Sequence, residues 1–111
     1  MEAGSVVRIA LLQSNGELKS RPALLLKNVE PFNDWLLCSI SSKLHNAVKG
    51  LDLILDEGHE DYKQSGLKYP GVVRVAHVFT MSEETIEGTI GKLSKPTLKR
   101  LKNNLGEYIK K

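Results

Sequence analysis

Arg21, Ser41 and Arg74 are the side chains of this sequence whose types point to one chemistry. A guanidinium is planar, permanently charged and able to grip a phosphate through two N–H groups at once. Two of them beside a hydroxyl suit an anionic phosphate and the added charge of a pentacoordinate transition state. Arg21 sits in Lys19-Ser20-Arg21-Pro22-Ala23-Leu24-Leu25-Leu26, where a basic residue and a proline stand at the mouth of an apolar run. Pro22 lacks an N–H and biases Arg21 toward extended geometry, which fits the first residue of a strand. The competing reading is a surface arginine beside an edge proline. Ser39, Ser41, Ser42 and Lys43 close the next apolar run, and Arg74 lies inside a third. Lys19, Ser42, Lys43 and His77 are further candidates for substrate contact. Convergence of these groups on one mouth requires a curved sheet, because spacing alone does not bring them together.

Other chemistries find little support. No two of His45, His59 and His77 have metal-ligand spacing, and Cys38 has no partner motif, so no metal site and no cofactor are expected. Asp52 and Asp56 flank an apolar run and read as a solvated outer face rather than a catalytic pair. The sequence has no phosphate-cradling glycine loop and no nucleophile elbow.

The elements that must position the candidates read as mainly β. Val6–Leu12 is rich in β-branched residues, and Ser14-Asn15-Gly16 is a turn signal, since Asn and Gly tolerate positive φ. A second strand runs from Leu18 or Arg21 to about Lys27, then a loop from Asn28 to Asp34. Trp35–Ser41 is apolar enough to be buried on both faces for part of its length. Leu51–Asp56 alternates as a fourth strand, and Glu57–Leu67 reads as a long polar loop, functional or mobile. Val72–Phe79 is a fifth strand, in which period two puts Arg74 and Ala76 on one face and Val73, Val75 and His77 on the other. A helical turn at Ser82-Glu83-Glu84 precedes a last strand, Thr85–Ile90, weakened by Gly88. Ser94 fits an N-cap with Pro96 in the first turn, and Leu98, Leu101, Leu105 and Ile109 then follow helical spacing. Gly106 weakens the last turn. Five or six short strands with one terminal helix favour a small, strongly curved antiparallel barrel.

A chain of 111 residues implies a single domain, 1–111, with one modest core. With 26% charged and 41% apolar residues it has the composition of a globular protein, and no apolar run is long enough to cross a bilayer. The N-terminus lacks a secretory signal, and a single cysteine within an apolar run reads as a buried thiol, which agrees with a cytoplasmic home. The net charge of +3 is unevenly spread, acidic from Asp52 to Asp61 and basic from Lys92 to Lys111. That asymmetry hints at a polyanionic partner; a helix with a solvated lysine face explains it equally well.

Five pieces, in order, resemble the MazF/PemK family of bacterial toxins. Gly4-Ser5-Val6-Val7 resembles its opening Gly-Asp-Ile-Val strand, and Arg21-Pro22-Ala23-Leu24 matches its Arg-Pro-Ala-hydrophobic signature. Ile40-Ser41-Ser42-Lys43 resembles its Ile-Thr-Ser segment, and Gly66–Val75 its Gly-Leu-x-x-x-Ser/Gly-Val-Val-Arg strand. Ile90-Gly91-Lys92-Leu93-Ser94 resembles the lead into its C-terminal helix. The resemblance implies an SH3-like barrel, usually a homodimer, paired with a cognate antitoxin and binding DNA as that complex. It implies metal-independent cutting of single-stranded RNA at short sequences, by attack of the 2′-hydroxyl on the neighbouring phosphate. A cyclic phosphate and a 5′-hydroxyl are left.

By that resemblance Arg21 corresponds to the arginine that stabilises charge or moves a proton. Ser41 stands where many members have a catalytic threonine, and Arg74 matches an arginine of the PemK/Kid branch. The chain departs from the pattern at Ala76, where that branch carries an aspartate proposed as general base, and at Ser5 in the opening Gly-Asp. The acidic loop from Asp56 to Asp61 would repel a phosphate unless turned away. Two other readings stand beside the ribonuclease. One is a degenerate member that binds RNA or protein without cutting. The other is a gyrase-directed toxin working through the C-terminal helix. An antitoxin's acidic tail is expected to lie over the Arg21 mouth.

Overall fold

The computed structural model describes residues 1–111. Six antiparallel strands form a single sheet: β1 (Ser5–Leu12), β2 (Leu18–Val29), β3 (Asp34–Ser41), β4 (Leu53–Leu55), β5 (Gly71–Ser82) and β6 (Ile86–Lys92). Their order is β4-β5-β3-β2-β1-β6, curled into a half-barrel. The one-turn helix α1 (Tyr62–Ser65) follows β4, and α2 (Lys95–Lys110) ends the chain. The expected β-rich fold with a C-terminal helix is what forms.

Alternation along the strands gives the sheet two apolar faces. Val6, Leu24, Leu26, Cys38, Ile40, Val73 and Val75 bury one face, which Leu93 and Leu101 cover from the α2 side. Val7, Ile9, Ala23, Leu25, Trp35 and Leu37 form a second cluster on the other. Leu37 and Cys38 are adjacent and both fully buried, as a strand covered on both sides requires. Burial pushes the Cys38 thiol up to about 12, with the nearby Asp52 charge adding to the effect, so it stays a protonated thiol.

Several boundaries differ from the sequence-based expectation. Pro22 does not open β2; it pairs with Arg8 inside the strand. It is tolerated there because β3 pairs only from Ala23 onward, so no neighbour on that side needs its missing N–H. β6 runs through Gly88, and α2 runs through Gly106 to Lys110. Ile109, expected on the apolar stripe of α2, is exposed.

The largest difference is the loop after β4. It is ordered, and it closes the half-barrel by laying α1 on β6. Gln64 donates through Nε2 to the Lys92 carbonyl at 3.0 Å. Asp61, within the stretch expected as a long polar loop, is only 2% exposed. Its carboxylate accepts from the backbone N–H and the hydroxyl of Ser94, both at 2.9 Å. Ser94 in turn caps α2, accepting from the Thr97 N–H at 3.4 Å.

Burial raises the Asp61 carboxyl pKa, but the Ser94 N–H, the Thr97 and Ser94 hydroxyls and the His59 charge outweigh it, leaving the group below its ordinary value. A depressed folded-state value stabilises the fold above the unfolded carboxyl pKa of about 3.9, and that stability is lost as pH falls through the folded value. Asp61→Asn should therefore cost about 1–3 kcal/mol at neutral pH. It should also remove part of the stability loss near pH 3. Thermal melts of both proteins at the two pH values check this; parallel losses would show that Asp61 carries no linkage.

Candidate active site

Register sets the site. Ala23 of β2 faces Ser39 of β3, and Ser39 faces Arg74 of β5. Side chains two residues apart on a strand share a face. Arg21, Ser39, Ser41 and Arg74 therefore stand on the face that carries the second apolar cluster, at the end where β2 outruns β3. They line a cavity of about 640 Å³, together with Arg8 from β1, Ser42 and Lys43 after β3, and Lys68 and Tyr69 before β5.

His77 joins them against the expectation of strict alternation. Cys38 faces Val78 while Ser39 faces Arg74, so Val75, Ala76 and His77 have no partner on β3. Three unpaired residues reverse the parity of the strand. His77 thus falls on the same side as Arg74, and its Nδ1 lies 2.6 Å from the Ser39 hydroxyl. Its ring meets Phe79 edge-on with centroids 6.4 Å apart. Ala76 is exposed and does not line the cavity. The bulge is tied down by Asp52, which accepts from the Val75 N–H at 3.2 Å and the Val48 N–H at 3.0 Å. Asp52 is thus a backbone clamp rather than part of a solvated face.

The other candidates divide. Arg21 makes one weak side-chain contact, from Nη2 to Gln13 Oε1 at 3.3 Å, and no carboxylate pairs with it. Ser41 accepts from the Lys43 N–H at 3.1 Å, which turns the chain and leaves its own hydroxyl proton free. Lys19 pairs with Leu11 on β1 and does not reach the cavity. Arg8 was not singled out from the sequence. It donates from Nε to the Ser20 hydroxyl at 2.9 Å, and that hydroxyl donates to Glu87 at 2.7 Å. Its signal was a charged residue interrupting an apolar strand.

The lining contains five cationic side chains, Arg8, Arg21, Lys43, Lys68 and Arg74, and no aspartate or glutamate. No carboxylate of the acidic loop lines the cavity; Asp61 is committed to Ser94, and Asp56 accepts from the Gly58 N–H at 2.9 Å. No three His, Cys, Asp or Glu side chains come together as metal ligands. No helix is long and apolar enough to cross a membrane. Such a cavity can hold a bridging phosphate and its flanking nucleotides, with Tyr69 exposed at the rim as a stacking surface.

Comparison with known proteins points the same way. No curated protein matches the chain by sequence. Among solved structures, a MazE–MazF complex from Deinococcus radiodurans superimposes with a TM-score of 0.73 at 18% identity, covering 99% of this chain and 96% of that one. A mycobacterial endoribonuclease in complex with its cognate antitoxin gives 0.72 at 13% identity, covering 99% and 95%. The Mycobacterium tuberculosis toxin MazF-mt6 gives 0.70 at 18% identity, covering 96% of each chain. At these identities the likeness is one of fold. The profile of the PemK-like, MazF-like toxins of type II toxin–antitoxin systems matches residues 2–109, and the chain belongs to that family.

Proposed function

We propose that the chain is a metal-independent endoribonuclease toxin that cuts single-stranded RNA at selected sequences. The observation that carries this reading is the cavity, which has five cations, two of them arginines on the same face of the sheet, and no carboxylate. Attack by a 2′-hydroxyl on the adjacent phosphorus places an extra negative charge on the equatorial oxygens. Arg21 and Arg74 are the groups to receive that charge, since a guanidinium binds two such oxygens at once. The Ser41 hydroxyl has a free proton to donate to the same phosphate. Ser42 and Lys43, beside it on the rim, contact the flanking nucleotides. Selectivity arises where single-stranded bases meet the loops on either side, from Ser42 to Gly50 and from Lys68 to Pro70.

A single domain working as a cytoplasmic homodimer completes this reading. An antitoxin is its partner, and an acidic segment of that partner suits the same cationic cavity and would exclude RNA from it.

The test is incubation of purified, antitoxin-free protein with a long single-stranded RNA in EDTA, with the ends mapped. Discrete cuts that leave 5′-hydroxyl ends and cyclic phosphates are the expected result. No cleavage from a folded dimer, across varied RNAs, would overturn the nuclease reading and leave a binding module.

A further inference from the structure

The cavity poses a question that its arginines do not answer: which group takes the proton of the attacking hydroxyl. The charged groups that line it are Arg8 on β1, Arg21 on β2, Lys43 after β3, and Lys68 and Arg74 on the β5 side. All five are ammonium or guanidinium groups, which donate hydrogen bonds and offer no acceptor site. The lining includes no carboxylate. His77 is the one lining side chain with a ring nitrogen able to take up a proton.

We infer that His77, oriented by Ser39, is the general base of the cleavage step. The inference rests on the ribonuclease reading above. The Ser39 hydroxyl lies 2.6 Å from Nδ1 and can accept the Nδ1 proton, which leaves the Nε2 lone pair free and turned to no protein partner. The edge-on contact with Phe79 restrains the ring. The unpaired residues Val75–His77, clamped by Asp52 at the Val75 N–H, are what bring the imidazole to the Arg74 side. A regular strand would have carried it to the opposite face. The bulge thus supplies a proton acceptor from His77, while Ala76 carries none.

In the step, Nε2 takes the 2′-hydroxyl proton as the 2′-oxygen bonds to phosphorus. The bond from phosphorus to the 5′-oxygen breaks, and that oxygen takes a proton from water. The imidazolium returns its proton to solvent, so no proton is consumed overall. Ser39 is a positioning residue, acting through His77.

The experiment is the cleavage rate of one RNA in EDTA as a function of pH, for the wild type, His77→Gln and Ser39→Ala. His77 is exposed, so its replacement leaves the fold intact, and a melt of each variant confirms that. The wild-type rate should fall on acidification across the range where an imidazole gains its proton. His77→Gln should lose about 100-fold or more in rate at neutral pH, together with that acid limb. Ser39→Ala should keep the limb but lose roughly 10-fold, through a misplaced ring. Wild-type-like cleavage by His77→Gln, or a slow variant that retains the acid limb, would overturn the base assignment alone. A wild type that cuts no RNA would overturn the nuclease reading and the inference with it.

Discussion

Arg21→Ala should lower the rate of RNA cleavage by about 100- to 1,000-fold, the usual cost of removing one preorganised donor to developing charge. The melting temperature should stay near that of the parent protein. The half-buried side chain makes one 3.3 Å contact to Gln13 and no ion pair, so its removal leaves no buried partner unsatisfied. Its scaffold is unusually firm. Ile9 pairs with Arg21 across β1, and Pro22 holds the next residue rigid. A preorganised guanidinium loses little freedom on meeting a phosphate, which is why the loss should appear in the catalytic rate more than in RNA affinity. Arg21→Lys keeps the charge but not the planar fork, so it should recover only part of the rate. Full activity in Arg21→Ala would remove this residue from the mechanism. Ser41→Ala should have a smaller effect, because the lost hydroxyl contributes a neutral hydrogen bond rather than a charge.

The largest stability effect is expected at Gly91→Ala. A Cβ there would overlap the backbone of Gln64 and Ser65, and backbone cannot rotate aside. Gly66 makes the reciprocal fit: its φ is +75°, and a Cβ on it would overlap the Ile90 carbonyl. Together these glycines let α1 lie directly on β6 and close the half-barrel. Forcing a methyl between them should cost about 3 kcal/mol, at the upper end for overpacking. In a domain of this size that lowers the melting temperature by roughly 10–20 °C. Gly88→Ala on the same strand is the control. A Cβ there meets nothing within 4 Å, so its melt should be unchanged or slightly higher. Equal melts for Gly91→Ala and Gly88→Ala would show that α1 lifts off β6 at little cost.

Much of this molecule was written locally. The β-branched runs, the turn at Asn15-Gly16 and the Ser94 cap with leucines at helical spacing each follow from contacts a few residues apart. Such contacts leave a trace in sequence order. The candidate arginines were legible for the same reason, as cations adjoining or interrupting apolar strands. So was the burial of Cys38, a small apolar side chain between leucine and serine in a hydrophobic strand.

Whatever depends on pairing between distant strands came from the folded sheet. The three-residue bulge in β5 is set by its match to β3, and no alternation pattern within β5 announces it; yet it puts His77 beside Ser39 and Arg74. The polar stretch after β4 lacks a periodic signal because its order comes from two glycines on different elements and from one carboxylate reaching Ser94. Lys19 and Arg21 look alike as neighbours in sequence, but only Arg21 lines the cavity. The strands and the terminal helix were legible in the order of residues, as were the charged side chains, because propensity and burial act over short range. Only the closed sheet decided which of those side chains share one cavity, because register and curvature are properties of strands in contact.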